Sequence, residues 1–449
     1  MRNAKTMSRR GFLGRGAAAG VLAGFPAIVP ASALGRDGHT APSERIVVGA
    51  VGVGEQGMDL LSQVTSCKGA QLVAVCDVNR DHLATAAAFV NGAYGGTGCA
   101  THVRHEELTG RDDIDAVLIA SCDHWHVLHA LAAVRSGKGV YVEKPLGLTV
   151  AEDKALRDEV VRRGVAFQFG TMQRSEGEFR RACELVRNGV IGKLHTVYVW
   201  CPQGMDHGPA PEVPVPAALD YDRWLGPAPF KPYTEGRERN LCWFFMSDYS
   251  LGFIAGWGIH PMDIAFWGAG EMMHTPCWFE GVGRIPAAGL CDTVMEWKVF
   301  CTYDSGLLVD YRSMPAPHDW IRRFDADVGL GMFNHGTAFV GEDGWIQVNR
   351  LKITASSPDL LAAAPTEGGV RLHASGSHME DFIESVRTGR PTVSPIEDAL
   401  RADCFCHACD LSIRLGKRLR WDPAGETFVD APDAAARLER PMRAPWTLA

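Results

Sequence analysis

Between residues 45 and 170 the apolar positions fall into two alternating textures. Short continuous runs at Arg45–Val51, Leu72–Cys76, Ala116–Ala120, Val140–Val142 and Ala166–Phe169 read as strands buried on both faces. Between them come stretches with helical spacing. Met58, Leu60, Leu61 and Val64 form one, Asp81–Val90 another, and Val127, Leu128, Leu131, Ala132 and Val134 a third, stopped by Gly137; Val150–Arg163 is the fourth. Strand alternating with helix predicts a doubly wound parallel sheet of Rossmann type. Asn91–Gly98 reads as a glycine-rich loop, and Glu176–Asn188 as one more helix.

From Lys193 the period shortens to two. Leu194, Thr196, Tyr198 and Trp200 share a face. Further candidate strands are Cys277–Val282, Thr293–Tyr303, Leu307–Tyr311, Thr337–Val340 and Trp345–Val348, with turns at Asp304-Ser305-Gly306 and Glu342-Asp343-Gly344. This predicts an α+β domain built on a large, mostly antiparallel open sheet. A proline- and aromatic-rich insertion, Pro202–Ser250, reads as an ordered loop over a site. Helices are expected at Met379–Thr388 and Ile396–Leu415. The expected division is 44–170 for nucleotide binding, 171–394 for substrate and oligomer contacts, and 395–449 for a C-terminal helix and tail packing back on the first domain.

Composition changes this picture little. With 449 residues, 46% hydrophobic and 22% charged, the chain is an ordinary globular one, long enough for two or three domains. A net charge of −8 without a long basic run argues against nucleic acid as a partner. The N-terminus does change it. Ser8-Arg9-Arg10-Gly11-Phe12-Leu13, the weakly apolar Ala17–Val29 and the small-residue site Ala31-Ser32-Ala33 read as a twin-arginine export signal, residues 1–33. That implies a periplasmic protein exported folded, with no membrane span in the mature chain. Thirteen cysteines in an exported chain raise the question of disulfides. Their placement inside apolar strands and helices favours free, packed thiols instead. Cys404, Cys406 and Cys409, with His407 among them, read as buried helix positions, and no metal is expected.

The chemistry concentrates at strand ends. Gly52-Val53-Gly54-Glu55-Gln56-Gly57 follows the first strand and opens a helix, the arrangement that cradles a pyrophosphate. Asp77, at the end of the next strand, can take both ribose hydroxyls and repels a 2′-phosphate, so NAD is expected over NADP. Cys122, Asp123, His124 and His126 follow the third strand, and Glu143 and Lys144 the fourth. In a parallel sheet these ends face one crevice. His124 is assigned to cofactor contact and His126 chiefly to structure in the same wall. Gln173 and Arg174 are candidate forked donors to substrate hydroxyls. His260 precedes Pro261, a natural first residue of a helix, and Asp263 would either cap that helix or orient the histidine.

These passages, with Gly137-Lys138, Pro145-Leu146, Trp125, Trp224-Leu225-Gly226-Pro227, Gly258-Ile259-His260-Pro261-Met262-Asp263 and Arg440-Pro441…Ala444-Pro445-Trp446, resemble the Gfo/Idh/MocA family (glucose–fructose oxidoreductase, inositol dehydrogenase), in particular its exported bacterial branch. The resemblance implies a nicotinamide cofactor, a sugar or polyol substrate, and a homo-oligomer, dimer or tetramer, formed through the open sheet. By position it makes Lys144 the catalytic lysine, which also meets cofactor and substrate, and His260 the general acid/base, with Asp263 beside it. One departure stands out: the family's dehydrogenases carry an Asp four residues before the histidine, where this chain has Gly256. The expected activity is NAD-dependent oxidation or reduction of a sugar, sugar derivative or polyol. The alternative is a redox-neutral glycosidase or lyase that oxidises transiently, eliminates and re-reduces. A non-catalytic sugar-binding protein is disfavoured by the intact Lys144 and His260.

Overall fold

The computed structural model describes residues 41–313, 318, 320–321, 334–364 and 367–449. The expected export signal lies outside the described residues. Six strands form the first sheet: β1 (Ile46–Val51), β2 (Ala70–Cys76), β3 (Ala100–His102), β4 (Ala116–Ile119), β5 (Gly139–Val142) and β6 (Phe167–Phe169). Their order is β3-β2-β1-β4-β5-β6, and every neighbouring pair is parallel. Strands β4, β5 and β6 are buried at every residue, because helices cover both faces of the sheet. The helices are α1 (Glu55–Ser66), α2 (Arg80–Tyr94), α3 (Asp123–Arg135) and α4 (Val150–Arg163). Strand order reverses between β1 and β4, which opens a crevice at their carboxyl ends.

Two details of this half differ from expectation. Helix α2 runs four residues past Val90 into the expected loop, and Gly95 closes it in the left-handed conformation (φ +64°). Strand β3, three partly exposed residues at the sheet edge, is too short to show a period.

After helix α5 (Gly177–Arg187) comes the second sheet, nine strands in the order β13-β12-β11-β7-β10-β9-β8-β14-β15. They are β7 (Leu194–Cys201), β8 (Cys277–Arg284), β9 (Glu296–Tyr303), β10 (Leu308–Ser313), β11 (Gly336–Gly341), β12 (Gly344–Val348), β13 (Ile353–Ala355), β14 (Leu419–Asp422) and β15 (Thr427–Val429). Every neighbouring pair is antiparallel except β7 with β10, so the sheet is mostly antiparallel, as its alternation implies. Helices α6 (Ile259–Ala269), α7 (His378–Thr388) and α8 (Ile396–Leu415) complete the architecture.

Helix α8 packs on α4 on one side and on β8 on the other. The chain beyond it first adds β14 and β15 to the second sheet, which short, cation-flanked strands did not advertise. It then returns to the first: the Ala151 amide donates to the Leu438 carbonyl at 2.9 Å, and Trp446 meets Trp125 edge-on. All thirteen cysteines are unpaired, and burial raises the pKa of every one of these thiols. No described helix is long and apolar enough to cross a membrane.

Candidate active site

A cavity of about 720 Å³ runs from the β1–α1 turn to Lys144. Its first end is built from backbone. Gly52 holds φ +78°, and a Cβ there would stand 2.3 Å from the Ser121 nitrogen; one on Gly57 would stand 2.2 Å from the Gly52 carbonyl. These two glycines permit the turn and the contact of helix with strand. Gly54 is different: the nearest atom to its would-be Cβ is on His82, 3.8 Å away, so the backbone here faces open cavity. Gly54 also serves as the N-cap of α1 without a side-chain cap, which leaves amides for an anion.

Asp77 lines the same end. Its Oδ2 accepts the Val53 amide and its Oδ1 the Asn79 amide, each at 2.8 Å. The carboxylate is thereby held rigid, with lone pairs left for ribose hydroxyls. Its hydrogen bond is the main reason the His82 pKa is raised. Glu55 and Gln56 lie in the first turn of α1. The Gln56 amide donates to Glu143 Oε1 at 3.0 Å, tying the cradle to the β5 loop. Asn240, from the insertion, donates to Glu55 Oε2 at 2.6 Å and reaches across the cradle's mouth.

The second end is built from side chains. Lys144 Nζ donates to the Gly256 carbonyl at 3.2 Å and lies 6.0 Å from the Phe244 ring centre. A Cβ on Gly256 would stand 2.1 Å from Phe244. The insertion has therefore filled the space that the family's aspartate would need. Glu143 is buried; burial raises its pKa, against the opposing pull of Lys144. Asp123 also lines the cavity and is 1% exposed. Burial pushes its carboxyl up to about 8, although a Ser250 hydrogen bond and Lys144 pull the other way. Its Oδ2 has no hydrogen-bond partner. Cys122, one residue earlier, forms the adjoining wall.

Several expected residues lie elsewhere. Arg174 does not reach the cavity. Its Nε and Nη2 grip the two oxygens of Asp263 at 2.7 and 2.6 Å, and Nη1 takes Asp398 Oδ2 at 2.6 Å, with Arg174 and Asp263 both fully enclosed. Neither is available to substrate or to His260: this is an ion-pair network holding α6 to the start of α8. Gln173 is buried against His335 at 2.9 Å, away from the cavity wall. His124 is not among the residues lining the cavity; its Nε2 lies 2.9 Å from the Trp224 carbonyl and its ring meets that of Tyr249. His126, expected as the more structural of the two, does line the cavity; its nitrogens lie 2.7 Å from the Pro145 carbonyl and 2.9 Å from that of Ser121. Desolvation lowers both histidines, to about 3 for His124 and about 4 for His126. His260 sits beside Trp257, a wall residue, but is itself 3% exposed and off the wall. Burial lowers its pKa well below the usual value, Arg350 and Lys144 adding to the effect, and Nδ1 is left unpartnered.

The sequence reading missed the insertion's share of the wall, Phe244 and Trp243 with Asn240, and Trp257 from the turn before α6. Only the density of aromatics in Pro202–Ser250 hinted at it. The bare approach at Gly54, the uncapped start of α1 and the preset Asp77 fit a dinucleotide at the first end.

Comparison with known proteins agrees. Residues 46–171 match the oxidoreductase-family model described as an NAD-binding Rossmann fold, and residues 185–307 match that family's C-terminal alpha/beta domain. Inositol 2-dehydrogenase 3 of Saccharopolyspora erythraea is 36% identical over 147 residues, 32% of this chain and 41% of that protein. Alpha-N-acetylgalactosaminidase of Shewanella oneidensis is 31% identical over 177 residues, 37% of this chain and 37% of the other. The matched stretches thus span about two fifths of these relatives' length. Among solved structures, scyllo-inositol dehydrogenase from Lactobacillus casei with bound NAD(H) and scyllo-inositol superposes with a TM-score of 0.57 at 17% identity, covering 84% of this chain and 99% of that one.

Proposed function

The chain belongs to the Gfo/Idh/MocA oxidoreductase family, and from that premise we propose that it moves a hydride between NAD and a ring carbon of a sugar, sugar derivative or polyol. The observation that carries the reading is the union, in one cavity, of a backbone cradle with the Lys144 amine and the Asp123 carboxyl, whose Oδ2 is unpartnered and which burial pushes up to about 8. Bound NAD would take up or return the hydride at the Lys144 end. Lys144 holds a single long bond to a carbonyl, which a substrate oxygen can replace; its charge then stabilises the oxygen as the C–H bond is cleaved. Asp123 takes the proton. A carboxyl titrating near 8 matches this task better than one near 4. His260, off the wall, supports from behind as a neutral ring. Trp257 and Phe244 offer apolar faces to the C–H side of a sugar ring.

A second reading, the redox-neutral glycosidase, is favoured by one specific contact. The Asn240–Glu55 bond spans the cradle's mouth, and a cycle that returns its own hydride needs the cofactor retained. The similarity to a named glycosidase points the same way. We place the mature protein in the periplasm, exported folded, as a homodimer or homotetramer through the open face of the second sheet; light scattering on the mature chain tests the assembly.

The deciding experiment is to purify the mature chain without added cofactor and assay the denatured supernatant for NAD, while offering the native protein nitrophenyl glycosides and free sugars in parallel. Change at 340 nm on free sugar, lost in Lys144→Ala, supports the oxidoreductase. Nitrophenol release without net NADH supports the glycosidase. Neither signal, with ligand binding indifferent to Lys144→Ala, overturns both.

A further inference from the structure

Behind the Glu143–Pro145 loop, outside the cavity, the first turn of α4 and the middle of α8 bring Asp153, Asp403 and His407 together. Both aspartates are fully enclosed and the histidine nearly so. His407 Nε2 lies 3.5 Å from Asp403 Oδ2 and 3.7 Å from Asp153 Oδ2. One donor atom from each side chain falls within 4.8 Å of the other two. Both oxygens of Asp153, Asp403 Oδ1 and His407 Nε2 lack any hydrogen-bond partner. Such atoms are costly to bury unsatisfied. Gly147 closes the top: its amide reaches Asp403 Oδ2 at 3.3 Å, and a Cβ there would stand 2.6 Å from Asp153 Oδ1.

We propose that Asp153, Asp403 and His407 form a structural site for one divalent cation of the zinc type, which joins α4 to α8 and braces the loop that carries Lys144. Two carboxylates and an imidazole suit Zn²⁺ and balance its charge. Metal–ligand bonds of roughly 2.0–2.2 Å in a tetrahedral array set ligand atoms on the order of 3.4 Å apart, close to the two separations observed. A water completes the fourth position. The enclosure of all three side chains means that the ion enters as the chain folds and leaves slowly. The competing arrangement is a proton shared between the two acids, the form that burial and the neighbouring Asp403 favour for Asp153.

Elemental analysis of the full mature chain, purified without a metal-affinity step, separates the two. The cation site predicts about one equivalent of zinc or a like divalent ion in the native protein, absent from Asp153→Asn and from His407→Gln, with melting temperatures several degrees lower in both. A metal-free native protein whose Asp153→Asn variant melts at or above the parent overturns the proposal and assigns the shared proton. Metal that persists in folded His407→Gln also overturns it. Should the variants fail to fold, the native protein decides alone: one equivalent released only on unfolding in chelator supports the site, and none overturns it.

Discussion

The two ends of the cavity hold their ligands by opposite means. At the β1–α1 turn the structure works by what is missing: three glycines, an uncapped helix start and a carboxylate already pinned by two backbone amides. One contiguous hexapeptide and one aspartate suffice to specify it. At the Lys144 end the chemistry depends on groups from four separate parts of the chain, brought out of water together. Asp123 opens α3, Lys144 follows β5, Ser250 and Phe244 come from the insertion, and Trp257 precedes α6. The lesson is that a recognition element made of backbone is local and tolerates no side chain, whereas a reactive element made of side chains is non-local and owes its properties to burial.

That contrast can be broken, and the largest effect should come from Lys144→Ala. Losing the charge beside the reacting oxygen should lower kcat by about 10³-fold, while NAD content, measured after denaturation, stays near that of the parent. A parallel loss of cofactor would show that the two ends are not separable. Next comes Arg174→Leu. It leaves Asp263 enclosed without its partner, a change that costs about 3–5 kcal/mol. Urea unfolding should therefore show a much lower midpoint; a near-neutral variant would mean that Asp263 takes up a proton instead.

Asp123→Asn sharpens the comparison through pH. Lys144 on the β5 loop, Ser250 in the insertion and Asp403 on α8 are the groups that act on this carboxyl besides burial. Since its folded pKa, about 8, lies above its value of 3.8 in water, the ionised form is the one that folding disfavours. Stability from this group is full below about 4 and is lost as pH rises toward 8. The Asn variant should hence melt higher than the parent at pH 8–9 and lose that advantage by pH 4. In the oxidative direction the parent's kcat should rise through about pH 8, and the variant's should not. A profile unchanged by the substitution would remove Asp123 from proton transfer. The smallest effect is expected from Asn240→Ala, which opens the clasp on Glu55. Cofactor dissociation, followed by fluorescence, should quicken a few-fold, as loss of one solvent-exposed hydrogen bond allows.

The same contrast explains what could be read from the chain beforehand. The Rossmann half was legible because β1, β4 and β5 are buried on both faces and so appear as uninterrupted apolar runs. The second sheet was legible where one face meets the core, as in the alternation of β9. Its C-terminal additions, β14 and β15, were not, being too short to establish a period. Among site residues, position relative to a strand end located Gly52, Asp77, Asp123 and Lys144. It could not say that Arg174 would find Asp263 and Asp398, residues 89 and 224 positions away. Nor could it tell which of His124 and His126 turns inward, since α3 is buried nearly all round and offers no polar face to orient it. The glycine at 256 stood out in the sequence as a departure from the family's aspartate. Only the packed structure shows Phe244 occupying its space.

The unpaired thiols carry a consequence for the chain's covalent integrity. A thiol attacks disulfides and oxidants as the thiolate, and at every cysteine of this chain the surroundings oppose that form. Folding therefore waits on no oxidant and exposes few nucleophiles to one. A fold that needs no disulfide keeps one covalent form in reducing and in oxidising solvent alike.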